Sequence, residues 1–398
     1  MSETLRAVPV ARGAGVRAAE RIVLHALEGI DGGTIELRLP DGVVHRFGAG
    51  PPVAVEVTSR DLFRRLLWRP RLGLGESYVA GDWRADDLPW LFELLIRRID
   101  RWRDESLLAR LERFRPHVPP RQSLHRARRN IGYHYDLGND LYRLFLDDSL
   151  TYSCAIWEEG DTLEQAQERK LRLICEQLEL GPGARVLEIG CGWGSFALLA
   201  AGEYGARVTG LTISEQQAAL ARERAAAAGL GERIEIRLQD YRTLDGQFTH
   251  IASIEMLEAI GHAQYPVFFA ACDRLLEPGG RACVQTIAIP DERYERYRRH
   301  DDWIRRYIFP GSLLPSVEAL QKAMRRASSL RPAGLDEIGP HYATTLQAWR
   351  TRFLSRLVDV RRLGYDERFV RTWDFYLAYC EAAFRARSLR DVQLVLSR

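Results

Sequence analysis

The chain has 398 residues, a hydrophobic fraction of 46%, a charged fraction of 28% and a net charge of +3. This is enough for two globular domains with a large core. The six cysteines show no CxxC or Cys/His spacing, which excludes a zinc site and a disulfide framework and points to a reducing cytoplasm. No secretory signal opens the chain and no apolar run has the length of a membrane span, so any encounter with a membrane is expected at its surface. Of the 57 basic residues only Lys170 and Lys322 are lysine. Arginine binds phosphates bidentately, but a GC-rich genome gives the same bias, and composition does not separate the two.

The first 15 residues show no period. A helix is predicted over 18–27, then strands over 34–39 and 43–47 around the turn Pro40-Asp41-Gly42, and a third strand over 53–57. Ser59-x-Asp61 opens a helix with Leu62, Phe63, Leu66 and Leu67 at helical spacing. Gly73-Leu74-Gly75-Glu76-Ser77-Tyr78 and Gly81-Asp82-Trp83 read as loop or helix edge. A helix over 88–102 closes a first α+β unit, residues 1–105. Between Arg110 and Arg129 lie seven arginines, one glutamate and three prolines. Residues 106–130 therefore read as a linker, either solvated or in contact with anionic headgroups.

From Gly183 the pattern alternates. Strands are predicted over 185–189, 207–210, 233–238, 250–254 and 281–288, with helices over 193–204, 214–228 and 263–276 between them. This βαβ repetition predicts a doubly wound parallel sheet with its ligand at the carboxyl ends of the strands. Residues 290–340 interrupt the pattern, and 291–335 is read as a lid insertion or substrate wall. Two helices, over 343–363 and 366–387, and a strand over 392–396 end the chain.

Glu188-x-Gly190-x-Gly192-x-Gly194 follows the first of these strands. Alternate glycines let the backbone approach a small molecule closely. A dinucleotide site requires G-x-G-x-x-G and an acid at the end of the next strand, which here ends in Leu211-Thr212. Glu188, just before the turn, suits S-adenosylmethionine (SAM), which has no pyrophosphate to place on the helix N-terminus. Ser214-Glu215-Gln216-Gln217 reads as a capping box, although the Gln217 side chain could equally reach a ligand.

Further motifs surround this turn. Gly132-Tyr133-His134-Tyr135-Asp136-Leu137-Gly138-Asn139 and Leu150-Thr151-Tyr152-Ser153-Cys154 precede it. Gly210-Leu211-Thr212-x-Ser214-x-x-Gln217, Glu255-Met256-Leu257-Glu258-Ala259-Ile260-Gly261, Tyr307-Ile308-Phe309-Pro310-Gly311, His341-Tyr342-Ala343-Thr344-Thr345-Leu346 and Ala383-Phe384-Arg385 follow it. In these the chain resembles the cyclopropane fatty acid synthases, which methylenate double bonds of membrane lipid acyl chains, and their mycolic acid relatives. The likeness covers about residues 130–398. Gly75-Glu76-Ser77-Tyr78 and Gly81-Asp82-Trp83 resemble the same family's small N-terminal lipid-binding domain more weakly.

The resemblance implies a Rossmann-like class I SAM-dependent methyltransferase fold over 131–398, preceded by the smaller α+β lipid- or membrane-binding domain. It implies that Tyr135, Tyr152, Ser153, Glu188, Gly190, Gly192, Gly194, Thr212, Gln217 and Tyr241 surround SAM, with Asp240 near the adenine. It also implies a bicarbonate ion held by Cys154, Glu258, Gln285, Ile287 and Tyr342. Many members carry histidine where Gln285 stands; a glutamine can donate to bicarbonate but carries no charge. Without the resemblance, Cys154 reads as an inert buried residue, Glu258 as a solvated helix-start acid and Tyr342 as an aromatic packed at a cap.

The implied reaction explains these residue types. An alkene attacking the sulfonium methyl leaves a carbocation, and a base must then remove a proton from the transferred methyl or a neighbouring carbon. Aromatic faces such as those of Tyr152 and Tyr342 can stabilise the cation. The expected product is a cyclopropane ring in an unsaturated phospholipid chain. The segment from Glu255 to Gly261, with Gln285, also resembles actinobacterial phospholipid methyltransferases that make methylene- or methyl-branched chains; plant cyclopropane synthases look similar at Gln285. The expected setting is cytoplasmic, peripheral to the inner face of the membrane, with no nucleic acid partner and no metal; a homodimer is compatible with the resemblance.

Overall fold

The computed structural model describes residues 14–105 and 138–398. Tyr135 and the arginine-rich stretch 106–130 lie outside the described residues. The chain divides into two compact units, one reaching to Ala109 and including Glu367–Phe375, the other holding Arg110–Asp366 and Tyr376–Arg398.

The first unit contains α1 (Ala14–Leu27), β1 (Thr34–Arg38), β2 (Val44–Gly48), β3 (Pro52–Val57), α2 (Asp61–Trp68), α3 (Gly73–Ala80), β4 (Trp83–Ala85) and α4 (Leu88–Glu105). Its sheet order is β2-β1-β3-β4. Strand alternation buries Ile35 and Leu37 on β1 and Val53, Val55 and Val57 on β3. Trp83 of β4 and Phe92 are also buried, their rings edge-on at 6.3 Å, and Phe92 meets Phe375 edge-on with 4.8 Å between ring centroids. The stretch expected as loop around Gly73 is the helix α3. A Cβ on Gly73 would lie 2.2 Å from the Arg65 carbonyl oxygen, so glycine permits the close approach of α3 to α2. Gly81, at φ +83°, ends α3 as a left-handed cap.

The second unit has a seven-stranded sheet of order β10-β11-β9-β8-β5-β6-β7. Its strands are β5 (Arg185–Ile189), β6 (Arg207–Thr212), β7 (Ile234–Leu238), β8 (Phe248–Ile254), β9 (Leu276–Ala288), β10 (Arg331–Glu337) and β11 (Arg390–Ser397). The five from β5 to β9 are parallel, and β11 runs antiparallel to both β9 and β10. The helices are α5 (Asn139–Arg143), α6 (Leu163–Gln177), α7 (Ser195–Glu203), α8 (Glu215–Ala227), α9 (Tyr265–Leu275), α10 (Asp291–Tyr297), α11 (Trp303–Tyr307), α12 (Val317–Ala327), α13 (Gly339–Ser355), α14 (Leu357–Arg362) and α15 (Glu367–Arg385). This is the expected Rossmann-like arrangement.

Two cores sandwich the sheet. Leu171 and Ile174 of α6, Phe196, Ala197 and Ala200 of α7, and Ala218 and Ala221 of α8 cover one face. Phe268, Phe269 and Cys272 of α9 with Leu320 and Met324 of α12 belong to the other. Covered on both faces, β5 reads as an unbroken apolar run interrupted only by Glu188.

Three expectations change. Helix α6 was not anticipated, although Thr162 and Gln165 form a full capping box at its start. Residues after Ser316 do not stand apart as a lid, because α12 is a core helix and β10 joins the sheet edge. The last helix, α15, lends Glu367–Phe375 to the first unit.

Candidate active site

Strand β5 lies between β6 and β8, so the chain leaves it in one direction and later returns on its other side. Such a reversal opens a crevice at the carboxyl ends of the strands, where α/β sheets bind ligands. Two segments meet there: the turn after β5, and Glu255–Glu258 after β8.

Gly190, Gly192 and Gly194 all have positive φ, at 86°, 51° and 85°. A Cβ on Gly190 would lie 2.9 Å from Met256, and one on Gly194 3.3 Å from Ala221. At Gly192 it would meet no atom of the described residues within 4 Å. The first and third glycines thus serve packing, while the second leaves open space beside the backbone. Glu188 is buried, and its Oε2 has no hydrogen-bond partner among the described residues. Burial pushes its carboxyl up to about 8, against the pull of the Lys170 charge and the Ala197 amide. The Tyr241 hydroxyl is likewise buried without a partner among the described residues. An orphaned acceptor, an orphaned hydroxyl and an open backbone turn fit the hydroxyl-bearing, cationic body of SAM.

Thr212 and Gln217 sit together at the end of β6. The Thr212 hydroxyl donates to Gln217 Oε1 at 2.8 Å and accepts from the Ser214 amide. Ser214 caps α8 by accepting from the Gln217 amide, but the Gln217 side chain turns to Thr212 instead of closing a capping box. Asp240 is held at both oxygens by the Arg242 guanidinium, at 2.8 and 2.7 Å. Ser153 accepts from Lys170 Nζ at 2.7 Å, and its carbonyl accepts from Gln167. Tyr152 shares a 2.8 Å hydroxyl contact with Tyr376, and its ring lies 5.2 Å from that of Trp349.

The residues assigned to the ion-binding pocket fall into two groups, each organised by one carboxylate. Glu255 organises the first. Its Oε1 accepts from the Cys154 amide at 2.8 Å and from Gln285 Nε2 at 2.9 Å, and its Oε2 accepts from the Tyr342 hydroxyl at 2.6 Å. Glu258 organises the second. Its Oε1 accepts from the Ile287 amide at 2.6 Å and the Thr286 hydroxyl at 2.7 Å, while its Oε2 has no partner among the described residues. Burial first, then the neighbouring Glu255 charge, pushes Glu258 up to about 8. It is not the solvated helix-start acid of the bare sequence but part of a short 3-10 turn, Leu257–Ala259, behind the sheet edge.

The Cys154 thiol is fully buried and donates to backbone carbonyls, and burial holds it well above the usual thiol range. Its contribution is its amide, not a thiolate. Gln285 Nε2 also donates to Asp391 at 3.2 Å, and its oxygen accepts from Gln393, its cross-strand neighbour on β11. Burial and the two glutamates raise Asp391 well above the carboxylate range. Asp391 therefore holds its proton, and Glu255, with three donors, is the ionised member of the pair. Lys170 is fully buried and lies close enough to Glu255, Asp391 and Glu188 to interact with their charges.

Glu255, Lys170, Asp391 and Gln393 were not anticipated. For Glu255 the signal was the Glu255-x-x-Glu258 pair itself. For Lys170 it was the retention of a lysine in a chain that otherwise uses arginine almost throughout. Asp391 and Gln393 carried no signal, because only strand pairing brings them to the site.

The family model described as mycolic acid cyclopropane synthetase matches residues 122–394. The tuberculostearic acid methyltransferase UfaA1 of Mycobacterium tuberculosis is 39% identical over 93% of this chain and 86% of its own. The cyclopropane-fatty-acyl-phospholipid synthase of Escherichia coli is 40% identical over 87% of this chain and 88% of its own. Among solved structures, the mycolic acid cyclopropane synthase CmaA1 complexed with SAH and CTAB aligns with a TM-score of 0.64 and 31% identity, over 68% of this chain and 98% of that one.

Proposed function

The chain belongs to the mycolic acid cyclopropane synthetase family, and from this premise we propose that it transfers a one-carbon unit from SAM to the cis double bond of an unsaturated phospholipid acyl chain, closing a cyclopropane ring. The observation that carries this reading is the convergence of a SAM-compatible glycine turn and a buried carboxylate cluster on one sheet edge. SAM supplies an electrophilic methyl on a positively charged sulfur. The alkene π pair forms the new C–C bond as the C–S bond breaks, leaving a carbocation on the acyl chain. Loss of a proton from the transferred carbon lets the released C–H pair close the ring. The aromatic shell of Tyr152, Tyr342 and Trp349 is suited to excluding water and facing the cation. Glu188 and Tyr241 would hold SAM through its hydroxyls and adenosyl edge.

The substrate resides in a bilayer, and we assign the first unit to membrane contact. Trp68 is 79% exposed at the end of α2, with Leu67 and Ile22 exposed on α2 and α1. Tryptophan at such a position favours the membrane–water interface. No helix among the described residues is long and apolar enough to cross a membrane.

A methylene- or methyl-branched product arises from the same carbocation and differs only in how that cation is resolved after methyl transfer, without ring closure. The likeness to UfaA1, named a methyltransferase, keeps that second reading in view. Methyl-¹³C SAM incubated with the chain and vesicles of a monounsaturated phospholipid separates them. Upfield ring protons in the NMR spectrum of the recovered acyl chains are the expected result. Exomethylene signals would favour the second reading, and unlabelled lipid would refute both.

A further inference from the structure

The bicarbonate implied by the family resemblance needs donors, and here those donors are already committed. The Cys154 amide, Gln285 Nε2 and the Tyr342 hydroxyl all point at the Glu255 carboxylate, and the Ile287 amide points at Glu258. Charge gives the same answer. With Asp391 and Glu258 protonated, the one anion Glu255 is matched by the one buried ammonium, Lys170. A bicarbonate would add an unmatched charge to a buried site. The residues present do not fit the ion.

We propose that Glu255 is the catalytic base of this chain, its carboxylate standing where the resemblance would place bicarbonate. Three observations support this. Glu255 follows β8 directly, beside the glycine turn, with the next residue, Met256, packed at Gly190. Its backbone and side chain keep some exposure, while Gln285, Tyr342 and Asp391, which it bonds, are buried. It is held at φ 49°, a left-handed conformation that a glutamate adopts only under constraint, of the kind that gathers at active sites. Asp391 hydrogen-bonds the same carboxylate, so a proton taken up by Glu255 is shared across the pair. In the step, Glu255 takes a proton from the transferred carbon of the acyl cation. The C–H pair forms the third ring bond, SAM has already left as the neutral thioether, and Glu255 returns its proton to water between turnovers. Burial raises the basicity of the group, and the three donors together with Lys170 keep it ionised.

This inference rests on the proposed reaction, and its test separates the two. Label transfer from methyl-¹³C SAM to lipid is measured in buffer stripped of carbon dioxide, with and without added bicarbonate. Wild type is expected to turn over equally in both. Glu255→Gln is expected to lose about 100-fold or more in turnover while keeping SAM affinity, with a lower melting temperature because buried Lys170 loses its counter-charge and one donor its acceptor. Glu255→Gly relieves the positive φ and frees the three donors. It is expected to be inactive alone and partly rescued by bicarbonate, with ¹³C-bicarbonate NMR showing line broadening by this variant and not by wild type. A bicarbonate requirement in wild type, bicarbonate binding to wild type, or full turnover in Glu255→Gln would overturn the assignment. Absence of any label transfer by wild type that binds SAM would instead refute the proposed reaction.

Discussion

Gln285 donates through one nitrogen to the Glu255 carboxylate and to the protonated Asp391 carboxyl, while its oxygen accepts from Gln393. A neutral histidine has one donor and one acceptor and cannot make all three bonds, which gives a physical reason for glutamine here. We predict that Gln285→Leu lowers turnover at least tenfold and destabilises the fold by about 1–3 kcal/mol, because two acids and Gln393 lose a buried partner. Gln285→His should lose less of both, and steady-state kinetics with thermal melts would check the order. Glu188 gives a pH prediction. Its folded carboxyl sits near 8 against an unfolded value near 4.5, so the folded state holds the extra proton between them. Stability from this group is therefore present below about 4.5 and declines as pH rises through 8. Glu188→Gln should raise the melting temperature at pH 9 more than at pH 5. The same substitution should weaken SAM binding and flatten its rise with pH; calorimetry at several pH values reads both. An affinity unchanged by Glu188→Gln would remove Glu188 from the cofactor site.

At the scale of elements, the glycine turn separates packing from binding. Gly190→Ala would drive a methyl into Met256 and should destabilise the chain outright. Gly192→Ala meets no atom of the described residues but retains a positive φ, worth roughly 1–2 kcal/mol. We expect it to fold and to lose SAM affinity tenfold or more, measured by titration calorimetry; equal affinity would show that no ligand lies over that residue. The turn, its strand and the alternation of β5 to β9 were legible in the sequence because local periodicity and glycine spacing encode them. Helix α3 was not, since its glycines look like loop until the contact with Arg65 is seen. The pairing of β11 with β9, which delivers Asp391 and Gln393, spans more than a hundred residues and leaves no local pattern. The same limit hid the role of Glu255. The motif placed an acid at Glu258, but only the folded turn shows that Cys154, Gln285 and Tyr342 gather on the acid three residues earlier.

At the scale of the whole molecule, the net charge is only +3, so membrane attraction would come from local patches and apolar anchors. Trp68→Ala is expected to weaken sedimentation with anionic vesicles while leaving SAM binding intact; equal sedimentation would take α2 out of the membrane contact. In the proposed reaction a methyl group is transferred to an alkene and then loses one of its own hydrogens to the protein. SAM carrying a fully deuterated methyl, incubated with unsaturated phospholipid vesicles and followed by mass spectrometry of the acyl chains, tests it most directly. The account predicts acyl chains that have gained one carbon carrying two deuteriums, the third having been removed by the base. Chains retaining all three deuteriums, or no labelled chains at all, would contradict it.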